Sequence, residues 1–144
     1  MFRKVGVLLL LATPVYGGPP GACPAAVATA LGKAFPDATI GACKAEREHG
    51  KDQFEVRMTR GGRDAFTVDA APDGTILQIE EVIAIDALPE AVKKAFAAKY
   101  AKAKPTRVEK QTAGKEVRYE IAFSTEGGRK EATFAADGRF VEEE

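Results

Sequence analysis

The sequence has no tryptophan and no asparagine, one histidine (His49), one serine (Ser124) and two cysteines, Cys23 and Cys43. Nucleophilic and general-base chemistry leans on His, Ser and Cys, so this inventory argues against an enzyme. No Cys-x-x-Cys pair is present, which removes the usual dithiol redox and zinc signatures. Neither sign of charge dominates: Lys+Arg and Asp+Glu stand at 21 each, so no overall field directs the chain to nucleic acid. The longest apolar run, VGVLLLLA at 5–12, is far shorter than the roughly 20 residues of a membrane-spanning helix, so no transmembrane segment is expected.

What is present is ordinary globular material: 144 residues, 45% hydrophobic and 29% charged, enough for one domain or two very small ones. The N-terminus reads as an export signal over 1–17. Arg3 and Lys4 form the basic n-region, the apolar run follows, Pro14 breaks it, and Val15-Tyr16-Gly17 offers small residues for cleavage. Removal of 1–17 leaves 19 basic and 21 acidic residues, a net charge of −2. The expected location is periplasmic or secreted. In an oxidising compartment the cysteine pair reads as a Cys23–Cys43 disulfide. Acylation of Cys23 is the rival reading, and it fits less well, because Pro20 stands where a lipobox carries Leu.

The chain also repeats itself. Residues 67–76 read TVDAAPDGTI and residues 133–140 read TFAADGRF. A shift of 65 residues lays Pro24 on Pro89, Val27 on Val92, Leu31 on Phe96, Phe35 on Tyr100, Phe54 on Tyr119, Val56 on Ile121 and Met58 on Phe123. A slip of one then brings Asp73-Gly74 onto Asp137-Gly138. Apolar positions match apolar ones while surface residues drift, the pattern of a duplicated folding unit.

Each copy reads as a helix followed by an antiparallel meander. Val27, Leu31 and Phe35 are spaced by four, as are Val92, Phe96 and Tyr100, which predicts amphipathic helices of about twelve residues. Pro24 and Pro89 suit the first turn; Pro36 and Ala103-Lys104-Pro105 stop the helices. Phe54, Val56 and Met58 then alternate with polar residues, as do Tyr119, Ile121 and Phe123, the period of half-buried strands. Gly61-Gly62, Asp73-Gly74, Gly127-Gly128 and Asp137-Gly138 mark turns, and Ile85-Asp86-Ala87-Leu88 is too short and apolar for a flexible joint. The expected fold is α+β. It has two tandem repeats, 23–86 and 87–144, after a linker at 18–22. Each is one helix on an antiparallel β-meander, and the two share a core, because a unit of about 55–60 residues buries too little alone.

Phe35-Pro36-Asp37-Ala38 ending a helix, a Phe-Glu-Val strand, the Val-x-x-x-x-Asp-Gly-x-Ile turn and Leu88-Pro89-Glu90-Ala91-Val92 opening the second copy resemble the PepSY-like, beta-lactamase-inhibitor-like family of exported bacterial proteins. The resemblance covers 24–144, and its motifs are core, turn and cap residues. It implies a tandem module that binds or inhibits a protein through a sheet surface, with no catalytic residues and no cofactor. The acidic residues often found near the Asp-Gly turns of that family are partly replaced here by Ala71 and Ala135-Ala136.

The remaining polar residues have plain readings. His49 lies in a charged turn, Lys93, Lys94, Lys99 and Lys102 make a solvated helix face, and Glu142-Glu143-Glu144 reads as a frayed terminus. Asp69, Asp73 and Glu80-Glu81 follow no Asp-x-Asp-x-Asp-Gly calcium loop, so no metal site is assigned. One surface stands out. If the helices cover Phe54, Val56, Met58, Phe66 and Val68, the other face carries Glu55, Arg57, Thr59, Thr67, Asp69, Gln78 and Glu80. The second copy adds Arg118, Glu120, Ala122, Ser124 and Thr133. The expected function is that of a non-enzymatic, inhibitor-like binding module, engaging an envelope or secreted protein or peptide through this face and no nucleic acid. The alternative is a ligand- or metal-binding envelope sensor.

Overall fold

The computed structural model describes residues 21–62 and 64–144. The export signal read over 1–17 and most of the 18–22 linker lie outside the described residues. In order, the elements are α1 (Ala25–Ala34), β1 (Ala38–Glu48), β2 (Lys51–Arg60), β3 (Asp64–Ala70) and β4 (Ile76–Ile83). After a single 3-10 turn (Ile85–Ala87) come α2 (Glu90–Lys99), β5 (Pro105–Ala113), β6 (Glu116–Thr125), β7 (Gly128–Ala135) and β8 (Phe140–Glu143).

Both helices begin behind a proline, where a missing N–H costs nothing, and both present residues spaced by four to the sheet. Val27 and Leu31 of α1 and Val92 of α2 are fully buried, and Phe96 is nearly so. Each helix stops at an aromatic residue with non-helical backbone: the Phe35 N–H donates back to Leu31 and the Tyr100 N–H to Phe96, both at 2.8 Å. Glu90 in the first turn and Lys99 in the last complement the dipole of α2.

The structure corrects the expected fold class. The two meanders are not separate helix-on-sheet repeats, because β4 pairs antiparallel with β5 from Ile79↔Thr112 to Ile83↔Val108. All eight strands therefore form one antiparallel sheet in sequential order, and strand dominates the described chain. Joining the inner edges satisfies backbone groups that two free-standing meanders would each leave open. Register carries Val56, Val68 and Ile79, and through Ile83 also Val108 and Ile121, to one face, so both helices lie on the same side.

Nor is there one shared core. Val27 and Leu31 pack with Phe54, Val56, Met58, Phe66 and Val68 in one cluster; Val92 and Phe96 pack with Val108, Ile121, Phe123 and Phe134 in another. A ten-residue helix is about 15 Å long, whereas eight strands about 4.8 Å apart span about 34 Å. One helix cannot cover the sheet. Between the clusters the helix side turns polar, with Glu81 opposite Lys110 at the β4–β5 seam.

Cys23 and Cys43 form a disulfide with Cα atoms 5.0 Å apart, tying the approach to α1 to edge strand β1. Cys23 is thus engaged in a bond rather than presented as a free thiol for a lipid. The C-terminus also departs from expectation. Glu144 and Glu131 exchange two backbone hydrogen bonds, and the Glu143 carboxylate takes the Lys130 ammonium at 2.6 Å and the Tyr100 hydroxyl. The acidic tail is an edge strand, held by its backbone ladder.

Candidate functional site

Strand alternation sends every second residue away from the helices, and the pairing register arranges these residues in rows. Lys44, Glu55, Asp69 and Gln78 form one row across β1–β4. Arg57, Thr67, Glu80, Gln111 and Arg118 form the next, across β2–β6. Val82, Glu109, Glu120, Thr133 and Glu142 form a third, across β4–β8. Thr59 faces the same way at the end of β2. The eight candidate residues Glu55, Arg57, Thr59, Thr67, Gln78, Glu80, Arg118 and Glu120 thus lie on one helix-free face; Arg57 is exposed and the others are half-buried. Ala122 and Thr133 sit buried between longer neighbours, and Ser124 is exposed near the end of β6.

Charges on this face are sorted by position. Towards the rim, three acids hold basic partners: Lys44–Glu46 at 2.6 Å, Arg118–Glu116 at 2.9 Å and Arg129–Glu131 at 2.8 Å. Arg107–Glu109, at 2.5 Å, lies nearer the middle. The interior acids are treated differently. Glu80 accepts from the amides of Gln78 (2.7 Å) and Gln111 (3.5 Å), and Glu120 accepts from the same Gln111 nitrogen at 3.0 Å. Asp69 is only 8% exposed, and no hydrogen bond or ion pair reaches its carboxyl among the described residues. Burial, then the charges of Glu80 and Glu55, pushes Asp69 up to about 7. Burial, then Glu131 and Glu109, does the same to Glu120, also to about 7. Glu80 is raised by burial as well, partly offset by its Gln78 bond. A carboxylate short of water and of positive neighbours resists ionisation.

Arg57, Thr67, Glu80, Val82, Arg107 and Glu109 surround a shallow cavity of about 90 Å³ in the middle of the face. It is far below the several hundred Å³ that enclose a cofactor-sized ligand, but it suits the end of one side chain. Arg107, Glu109 and Gln111, all on β5, were not among the residues picked out from sequence. Their alternation about Val108 was the available signal, with one apolar residue to anchor it. On the helix side a more open apolar groove of about 620 Å³ runs past Leu88, Phe96, Tyr100 and Pro105, with no nucleophile–base pair on its walls.

Other polar residues have local work. The Asp73 carboxylate accepts from the Thr75 N–H at 2.9 Å and Asp137 from the Arg139 N–H at 3.0 Å, so both serve their turns. His49 sits exposed in the β1–β2 turn with φ +47°.

No protein-family model and no curated protein matches this chain. Solved structures do share its fold. A BLIP-like protein from Bacteroides fragilis aligns with a TM-score of 0.65 and 23% identity over 89% of this chain and 88% of its own. A DUF2874 family protein from Bacteroides uniformis aligns at 0.69 and 18% identity, over 85% and 89%. A protein from Bacteroides eggerthii, provisionally described as periplasmic, aligns at 0.69 and 19% identity, over 86% and 89%. At such identities the likeness is one of fold, shared with BLIP-like and DUF2874 proteins.

Proposed function

We propose that this chain is a non-enzymatic, exported binding module that engages a protein or peptide partner through the helix-free face of its sheet. The observation that carries the reading is the division of labour between the two faces. Both helices crowd one side, while the other presents rows of polar residues with no covering element among the described residues. The scarcity of His, Ser and Cys supports a binding role over a catalytic one. The fold likeness to a BLIP-like protein and to a protein described as periplasmic supports export and protein binding by analogy of fold.

The test is a paired charge reversal. Glu55→Lys with Arg57→Glu alters the centre of the face without touching either core, and surface changes of this kind shift stability by no more than about 0.5 kcal/mol. Lys94→Glu with Lys102→Glu alters exposed residues on and just beyond α2. In affinity capture from an envelope extract, the sheet pair should lose the partner retained by wild type, and the helix pair should keep it. Retention by the sheet pair together with loss by the helix pair would place the contact on the helices and end this reading.

A further inference from the structure

Across its three rows the sheet face carries more carboxylates than lysines and arginines. The acids of this face that hold a lysine or arginine have it at 2.5–2.9 Å, whereas among the described residues Asp69, Glu80 and Glu120 have none, nor do Glu55 and the more peripheral Glu142. Arg107 and Arg118 are already committed to Glu109 and Glu116, and Arg57, exposed two strands from Glu80 in the same row, makes no ion pair with it among the described residues. Two of the interior acids share one Gln111 amide nitrogen, which brings their carboxylates near enough for a single guanidinium to contact both. Asp69, more than nine-tenths buried and without a partner among the described residues, pairs across the β2–β3 ladder with Glu55 and stands beside the row that holds Glu80.

We propose that the open face receives lysine or arginine side chains of its partner at the carboxylates of Asp69, Glu80 and Glu120. This rests on the sheet face being the partner surface, and it specifies the chemistry of what docks there. Among the described residues no three His, Cys, Asp or Glu side chains converge tightly enough to hold a metal ion, which favours a spread-out organic cation over a bare one. A guanidinium, with five donors in a plane, can serve carboxylates on neighbouring strands at once. Such a partner would bring positive charge and hydrogen-bond donors together.

The experiment uses fluorescein-labelled octapeptides of alternating Ser-Arg, Ser-Lys, Ser-Gln and Ser-Glu, titrated with the chain lacking 1–17 by fluorescence anisotropy. The Arg and Lys peptides should bind, and the Gln and Glu peptides should not. Asp69→Asn, Glu80→Gln and Glu120→Gln should each weaken binding about five- to tenfold, while Glu142→Gln, which removes the same charge elsewhere on the face and releases no paired arginine, should change it less than twofold. Equal losses at interior and control positions would reduce the effect to diffuse attraction and overturn the proposal. So would failure of every peptide to bind at millimolar concentration, or a calcium-dependent rise in melting temperature through Asp69 with no response to the peptides. Equal binding of the Ser-Gln peptide, lost on the Glu55/Arg57 reversal, would leave the sheet face as the partner surface and remove the cation from it.

Discussion

The duplicated Asp-Gly turn makes a sharp prediction. Gly74 and Gly138 have φ of +91° and +89°, a region that residues with a Cβ rarely enter. Each also presses against a helix. A Cβ on Gly138 would lie 2.6 Å from the Ala91 carbonyl oxygen, and one on Gly74 would lie 2.6 Å from that of Ala26 and 3.0 Å from the Ala30 Cβ. The obstacles are helix backbone, which cannot rotate away. Backbone strain of about 1–2 kcal/mol for the left-handed conformation adds to about 1–3 kcal/mol for an overpacked contact. Gly138→Ala should therefore cost about 3 kcal/mol, lowering the melting temperature by roughly 10–15 °C for a chain of this size. Gly114→Ala is the control, since its φ is +60° and nothing lies within 4 Å of the added Cβ. It should cost only about 1 kcal/mol, the strain by itself. Urea denaturation followed by circular dichroism reads both. If Gly138→Ala is no more destabilising than Gly114→Ala, the turn does not seat on the helix.

The interior acids predict an inverted pH response. With Asp69 and Glu120 held near 7 in the folded chain and near 4 when unfolded, the folded state binds more protons between those limits. Stability should then fall as pH rises from about 4 to about 7 and level off above. Asp69→Asn should accordingly stabilise the chain at pH 8, by about 1–2 kcal/mol once partial solvent access is discounted from the roughly 4 kcal/mol of full burial, with no gain at pH 4. No gain at pH 8 in thermal or urea melts would remove the strain assigned to this carboxyl. Reduction of the Cys23–Cys43 bond, which closes a 20-residue separation, should cost about 3 kcal/mol. Mass spectrometry of the chain produced in an oxidising compartment should find it about 2 Da lighter than its reduced form. Phe96→Ala removes a ring packed edge-on against Phe123 at 5.2 Å and should cost about 3–5 kcal/mol; a loss below 1 kcal/mol in urea would contradict the cluster described beneath α2.

Local structure was legible because it rests on local physics. Spacing by four named the buried side of both helices, prolines marked their starts, and alternation separated Phe54, Val56 and Met58 from Glu55, Arg57 and Thr59. Those periods are properties of the backbone and need no knowledge of neighbours. The Asp-Gly turns were equally readable, since few other residues accept that conformation. What the sequence left open was everything set by strand pairing across long separations. The β4–β5 ladder that merges two meanders into one sheet is made by backbone groups, which every residue carries alike, so no side chain announced it. The two cores follow from that merger, because a ten-residue helix reaches only part of an eight-stranded sheet, and Glu81 and Lys110 acquire meaning as a polar seam only once they face each other. The acidic interior of the open face is likewise a product of register. Asp69, Glu80 and Glu120 are scattered over 52 positions of sequence, and only tertiary pairing brings them to one face, with no ion-paired cation among the described residues.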